Sequence, residues 1–174
     1  GGPMKLEWYR QQMRRPLFST PLFWQVNRGL SLLVALGYGM ALLSLGWRES
    51  WLRLAFALVI PAAVFLLTGW LRKKLDRPRP FALLGEPPLH PHESGQGCPS
   101  RHTASAVILC WTALLLPGWV GWTLWGVLLV LTCLIGAIRV FTGMHFLRDV
   151  LLGAGLSTLI GAVAYLPLLL FALF

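Results

Sequence analysis

Charge is what this chain has least of: Asp, Glu, Lys and Arg make up 12% of its residues, against 56% hydrophobic ones, and mean hydropathy is +0.67. Residues 29–47, 54–71, 103–138 and 150–174 carry no charged side chain at all. Such runs exclude an ordinary soluble domain. Cysteine is also scarce. Cys98, Cys110 and Cys133 lack metal-ligand spacing, so neither a disulfide framework nor a zinc module is expected, and the two inside apolar runs read as small apolar residues. Internal repeats and low-complexity tracts are absent too, and no cleavable signal peptide is expected.

What is present is helix of membrane-crossing length. About 20 helical residues cross a bilayer core. The run 103–138 is too long for one crossing, and Leu116-Pro-Gly-Trp119 divides it. The expectation is an all-α membrane bundle, a single domain over 1–174, with five transmembrane helices near 29–47, 52–71, 101–116, 119–138 and 146–170. Pro61 falls inside the second, where membrane helices tolerate it. Trp47, Trp51, Trp70, Trp119 and Trp122 suit interfacial belts. Gly1-Gly2-Pro3 ahead of Met4 reads as a cloning remnant. Residues 4–28 mix Lys5, Arg10, Arg14, Arg15 and Arg28 with Trp8, Tyr9, Phe18 and Trp24, as in an amphipathic helix lying in the interface. The net charge of +9 sits at helix ends and in one loop rather than along a soluble face, which favours anionic lipid over nucleic acid.

Five helices bring three polar clusters to one membrane face. The first, Arg72-Lys-Lys-Leu-Asp-Arg77-Pro-Arg79-Pro80, matches a snorkelling basic helix end. Its two Arg-Pro steps also present forked guanidinium groups, which grip phosphate oxygens in pairs. The second, Pro99-Ser100-Arg101-His102, opens an apolar helix with Ser100 as a candidate N-cap, and the unpaired N–H groups of that helix end favour an anion near His102. The third, Arg139-Val-Phe-Thr-Gly-Met-His145-Phe-Leu-Arg-Asp149, sets ionisable groups where hydrocarbon-facing sequence carries none. His145 and Asp149 are four apart, so a carboxylate can hold one ring nitrogen and leave the other as a nucleophile; a purely structural His–Asp pair fits the same spacing.

In this order the clusters resemble the type 2 phosphatidic acid phosphatase (PAP2) superfamily. That family carries a lysine, six residues and Arg-Pro, then Pro-Ser-Gly-His, then Ser-Arg, five residues, His, three residues and Asp. Here Arg72 stands at the lysine position with Lys73 one residue off register, Arg101 replaces the glycine, and Ile138 replaces the serine before Arg139. Many membrane members have six helices rather than five. The resemblance implies that His145 attacks phosphorus, Asp149 orients it and His102 acts as general acid and base. Arg72 or Lys73, Arg79, Ser100, Arg101 and Arg139 would hold the phosphoryl oxygens. No metal or other cofactor is implied, and His90, His92 and Glu93 lie in a Pro/Gly-rich loop.

The expected substrate is a lipid phosphate held in the bilayer, with undecaprenyl or another polyprenyl diphosphate favoured over phosphatidylglycerophosphate and phosphatidic acid. A bacterial cytoplasmic (inner) membrane is the expected location. Of the 15 lysines and arginines only Arg48 and Arg53 fall on the opposite face, which by the positive-inside bias turns the site to the cytoplasm, whereas bacterial relatives usually work on the outer face. A vanadate-dependent haloperoxidase would be soluble. A transporter would string its charges along a path, and a lipid-binding scaffold would not need all of His102, Arg139, His145 and Asp149.

Overall fold

A computed structural model of the chain describes residues 3–48, 50–90 and 95–170. Gly1, Gly2, His92 and Glu93 lie outside them. The described residues are helical with no strand: α1 (Pro3–Met13), a 3-10 turn (Pro16–Ser19), α2 (Pro21–Trp47), α3 (Trp51–Leu75), α4 (Pro80–Leu83), α5 (Arg101–Ala113), α6 (Gly118–Phe141) and α7 (Leu147–Leu170).

α2, α3, α6 and α7 are long and apolar enough to cross a membrane. Their outer faces expose Leu36, Leu43, Val59, Leu66, Val130, Leu159 and Val163, the pattern of helices solvated by hydrocarbon. The chain is an integral membrane protein. The segment expected at 101–116 is helical over Arg101–Ala113, 13 residues, or roughly 20 Å at 1.5 Å per residue. It is the hub of the bundle, touching all four long helices, with Ala104, Ile108 and Ala113 fully buried. Lipid never reaches most of it, so it needs no full crossing length.

Small residues let α7 close on α5. A Cβ on Gly153 would stand 2.7 Å from the Ser100 carbonyl oxygen, and one on Gly161 would stand 2.7 Å from the Trp111 ring. Between them the Ser157 hydroxyl donates to the Ala104 carbonyl at 2.8 Å. This is a small-residue seam at four-residue spacing, the usual means of close helix approach in lipid.

The N-terminal segment departs from the single interfacial helix expected over 4–28. Proline has no N–H to give a helix interior but suits a first helical position. Pro16 and Pro21 accordingly restart the chain, and Thr20 caps α2 by accepting from the Phe23 N–H at 3.4 Å. α1 then folds back against α4 and α6. Tyr9 packs with Val140, Val150 and Phe146, and Met13 with Phe81 and Met144. Arg10 and Arg14 pair with Glu86 at 3.6 and 3.2 Å.

Candidate active site

The end of α3, the start of α5, the end of α6 and the start of α7 meet at one end of the bundle, and a turn joins the last two. Gly143, at φ +69, takes a left-handed conformation that glycine adopts without strain. The Gly143 N–H donates to the Val140 carbonyl and the Met144 N–H to the Arg139 carbonyl, both at 3.1 Å. That is a Schellman ending. The Arg139 carbonyl also accepts from the His145 N–H at 3.0 Å. The six-residue spacing thus folds Arg139 and His145 back onto each other.

His145 is 2% exposed. Its Nδ1 is 2.7 Å from the Gly97 carbonyl oxygen. A carbonyl only accepts, so Nδ1 carries the hydrogen and Nε2 presents its lone pair. Arg79 Nη1 lies 3.4 Å from Nε2 and donates to the Met144 carbonyl at 3.1 Å. Arg79 Nε donates to the Gly95 carbonyl at 3.1 Å, and Arg72 Nε to the Gln96 carbonyl at 2.8 Å. Three consecutive carbonyls, Gly95, Gln96 and Gly97, therefore hold Arg79, Arg72 and His145. The loop is itself pinned: Gln96 N–H donates to Asp76 Oδ1 at 3.1 Å, and Gly97 N–H to the Arg77 carbonyl at 2.7 Å. Burial, with the charge of Arg79 and then those of Arg139 and Arg72, holds the His145 imidazole well below its ordinary pKa, against the raising effect of the Gly97 bond. It is neutral at physiological pH.

Arg139 is 5% exposed, and its Nε has no hydrogen-bond partner among the described residues. A buried donor left open in this way is suited to a ligand oxygen. Of the two candidates in the first cluster, Arg72 is buried and Lys73 exposed. Ser100 stands at the N-cap of α5, but its hydroxyl pairs with Thr103 Oγ1 at 3.1 Å, and among the described residues no side chain caps the helix.

Asp149 differs from the expectation. It is the third residue of α7, and its Oδ2 accepts the Phe146 N–H at 3.0 Å, half of a capping box. Its carbonyl accepts the Ser100 N–H at 2.9 Å. The bond to the imidazole that the four-residue spacing led one to expect is made by the Gly97 carbonyl instead; Oδ2 caps the helix, and the buried Oδ1 has no hydrogen-bond partner among the described residues. Asp149 ties the His145 turn to the start of α5. The buried Cys98 thiol lies beside it, and burial, then the Asp149 charge, push that thiol up to about 11.

His102 is exposed, and with Arg101 it lines a crevice of ≈ 270 Å³ walled by α2, α3, α5 and α6. A much larger apolar groove, ≈ 1360 Å³, runs along α6 and α7 and touches none of Arg72, Arg79, Ser100, His102, Arg139 or His145. Of those six residues the smaller crevice touches His102 alone, so neither cavity encloses His145 and its arginines. Among the described residues no three His, Cys, Asp or Glu side chains converge as a metal site. Sequence reasoning missed the Gly95–Gly97 carbonyls, whose signal was only a Gly-Gln-Gly turn before Cys98-Pro99. It also missed Tyr9, whose hydroxyl accepts the Leu147 N–H at 3.0 Å.

The PAP2 superfamily model matches residues 50–168. Two solved structures are similar. LpxE of Aquifex aeolicus is 21% identical with a TM-score of 0.69, over 91% of this chain and 93% of its own. A transmembrane PAP2-type phosphatidylglycerolphosphate phosphatase from Bacillus subtilis is 22% identical with a TM-score of 0.70, over 92% and 82%. No curated protein matches the chain.

Proposed function

The chain belongs to the PAP2 superfamily, and from that premise we propose that it is a membrane lipid phosphatase working through a phosphohistidine on His145. The hydrogen bond from His145 Nδ1 to the Gly97 carbonyl carries this proposal, since it leaves Nε2 as a neutral nucleophile beside Arg79. In the first step Nε2 bonds to phosphorus and the P–O bond to the lipid breaks, His102 giving its proton to the leaving oxygen. The ring becomes cationic, and the Gly97 carbonyl faces that charge through Nδ1–H. In the second step His102 takes a proton from water, the water oxygen bonds to phosphorus, the N–P bond breaks and phosphate departs. Arg72, Arg79 and Arg139, with the uncapped start of α5 at Ser100, stabilise the charge on the transferring group. Asp149 acts as a positioning residue through the turn.

The favoured substrate is a polyprenyl diphosphate in a bacterial cytoplasmic membrane, and phosphatidylglycerophosphate, the substrate in the name of the Bacillus subtilis relative, is the alternative. Purified protein is expected to release phosphate from a lipid phosphate in EDTA and to yield an acid-labile phosphoenzyme. His145→Ala is expected to abolish both. Undiminished turnover in that variant would sink the mechanism.

A further inference from the structure

The crevice at the start of α5 has Arg101 and His102 at one end, and beyond them its walls are apolar apart from Ser31 and Ser105. It follows α5 from Arg101 to Leu109, about 12 Å of helix, with Ala35 of α2 and Phe65 of α3 among its walls. A hydrocarbon chain lying along this wall would have its headgroup at the Arg101 and His102 end.

Arg72, Arg79, Arg139 and Arg101 are not equivalent. Arg72 and Arg79 are tied to the carbonyls of Gln96 and Gly95, and Arg139 is buried at the end of α6. Arg101 turns the other way, its guanidinium 4.9 Å from the centre of the Phe65 ring on the crevice wall. Among the described residues no carboxylate pairs with it. A stacked guanidinium keeps its N–H fork for an anion at the ring edge.

Resting on the phosphatase function proposed above, we propose that Arg101 selects lipid diphosphates by holding the phosphate that stays on the lipid. His102 serves the leaving oxygen, so whatever that oxygen is attached to lies between His102 and the crevice, beside Arg101. In a monophosphate ester that neighbour is carbon, and Arg101 has nothing to bind. In a diphosphate it is a second phosphorus whose two non-bridging oxygens share a negative charge, a match for a bidentate guanidinium. In phosphatidylglycerophosphate a glycerol separates the two phosphates and carries the second away from the leaving oxygen.

Two pairs of probes in detergent micelles test this, each pair sharing its tail: farnesyl diphosphate with farnesyl monophosphate, and phosphatidylglycerophosphate with phosphatidic acid. Initial phosphate release is measured for the unmodified protein, Arg101→Gln and Arg101→Lys, with size-exclusion profiles checking the fold. Arg101→Gln is expected to lower the diphosphate-to-monophosphate ratio of kcat/KM about tenfold or more, the scale of one charged hydrogen bond, with Arg101→Lys between. The ratio in the glycerol pair should move far less. An unchanged farnesyl ratio, or a larger shift in the glycerol pair, overturns the proposal for Arg101 while leaving the phosphatase function standing. Failure of the unmodified protein to act on any of the four lipids overturns that function, and the role of Arg101 with it.

Discussion

His145 is 2% exposed, with Nδ1 committed to the Gly97 carbonyl and Nε2 beside Arg79, whereas His102 is exposed at the mouth of the α5 crevice. Burial and fixed partners suit a nucleophile, which must have one tautomer and one line of attack. Exposure suits a proton carrier, which must serve first a lipid oxygen and then a water. The same contrast runs through the surroundings: the ring of His145 is held by backbone, while His102 lines the crevice along α5.

The largest test of that contrast is removal of each ring. His145→Ala is expected to cost a factor on the order of 10⁶ in kcat, as for a nucleophile in a unit that fails together, against about 10²–10⁴ for His102→Ala. Rapid-quench trapping should find no phosphoenzyme in the first variant. Equal losses would erase the distinction. Next in size is Arg79→Ala, expected to lower kcat about 10²–10³-fold, since it removes a preorganised donor from the transferring group. A change confined to KM would make Arg79 a ground-state contact only.

Lower in magnitude is Gly153→Val on the α5–α7 seam. With a Cβ only 2.7 Å from the Ser100 carbonyl oxygen, overpacking should cost about 1–3 kcal/mol in thermal unfolding in detergent and displace Ser100. An unchanged Tm together with unchanged activity would show that the seam does not position the site.

Dependence on pH sharpens the comparison further. The His145 value is lower in the folded chain than its ordinary 6.5, so on acidification the unfolded chain binds that proton first. The stability tied to a neutral His145 is complete above about pH 6.5 and is lost as pH falls below it. Unfolding midpoints of His145→Gln should therefore fall less steeply than those of the unmodified protein from pH 6.5 to 5. Parallel curves would mean that His145 titrates normally. The smallest expected effect is that of Tyr9→Phe, which strips an acceptor from the Leu147 N–H and should cost about 1 kcal/mol with little change in kcat. A loss of activity comparable to Arg79→Ala would give α1 a direct part in the chemistry.

Much of the fold was legible. Long charge-free runs marked the helices, and four of the five expected spans coincide with helices of crossing length. Pro16 and Pro21 carried the break in the N-terminal segment, a signal that composition over 4–28 obscured. At the site, the spacing from Arg139 to His145 was readable because Thr142-Gly143 ends a helix in a known way. That Arg72 rather than Lys73 is buried against the loop was not, since it depends on which side of the last turn of α3 faces that loop. The partner of Asp149 was not legible either, because a carboxylate at the third position of a helix serves an imidazole or its own helix start equally well by spacing.

By itself the sequence determined a membrane-embedded helical chain with three cationic clusters on one face, because hydrophobic length and the cost of charge in lipid are properties of local segments. Only the tertiary structure decided which side chains are held by Gly95, Gln96 and Gly97, which tautomer His145 adopts and that Arg101 turns toward the crevice. Those depend on backbone carbonyls and on neighbours many residues away, and a carbonyl is common to every residue and leaves no mark in the sequence.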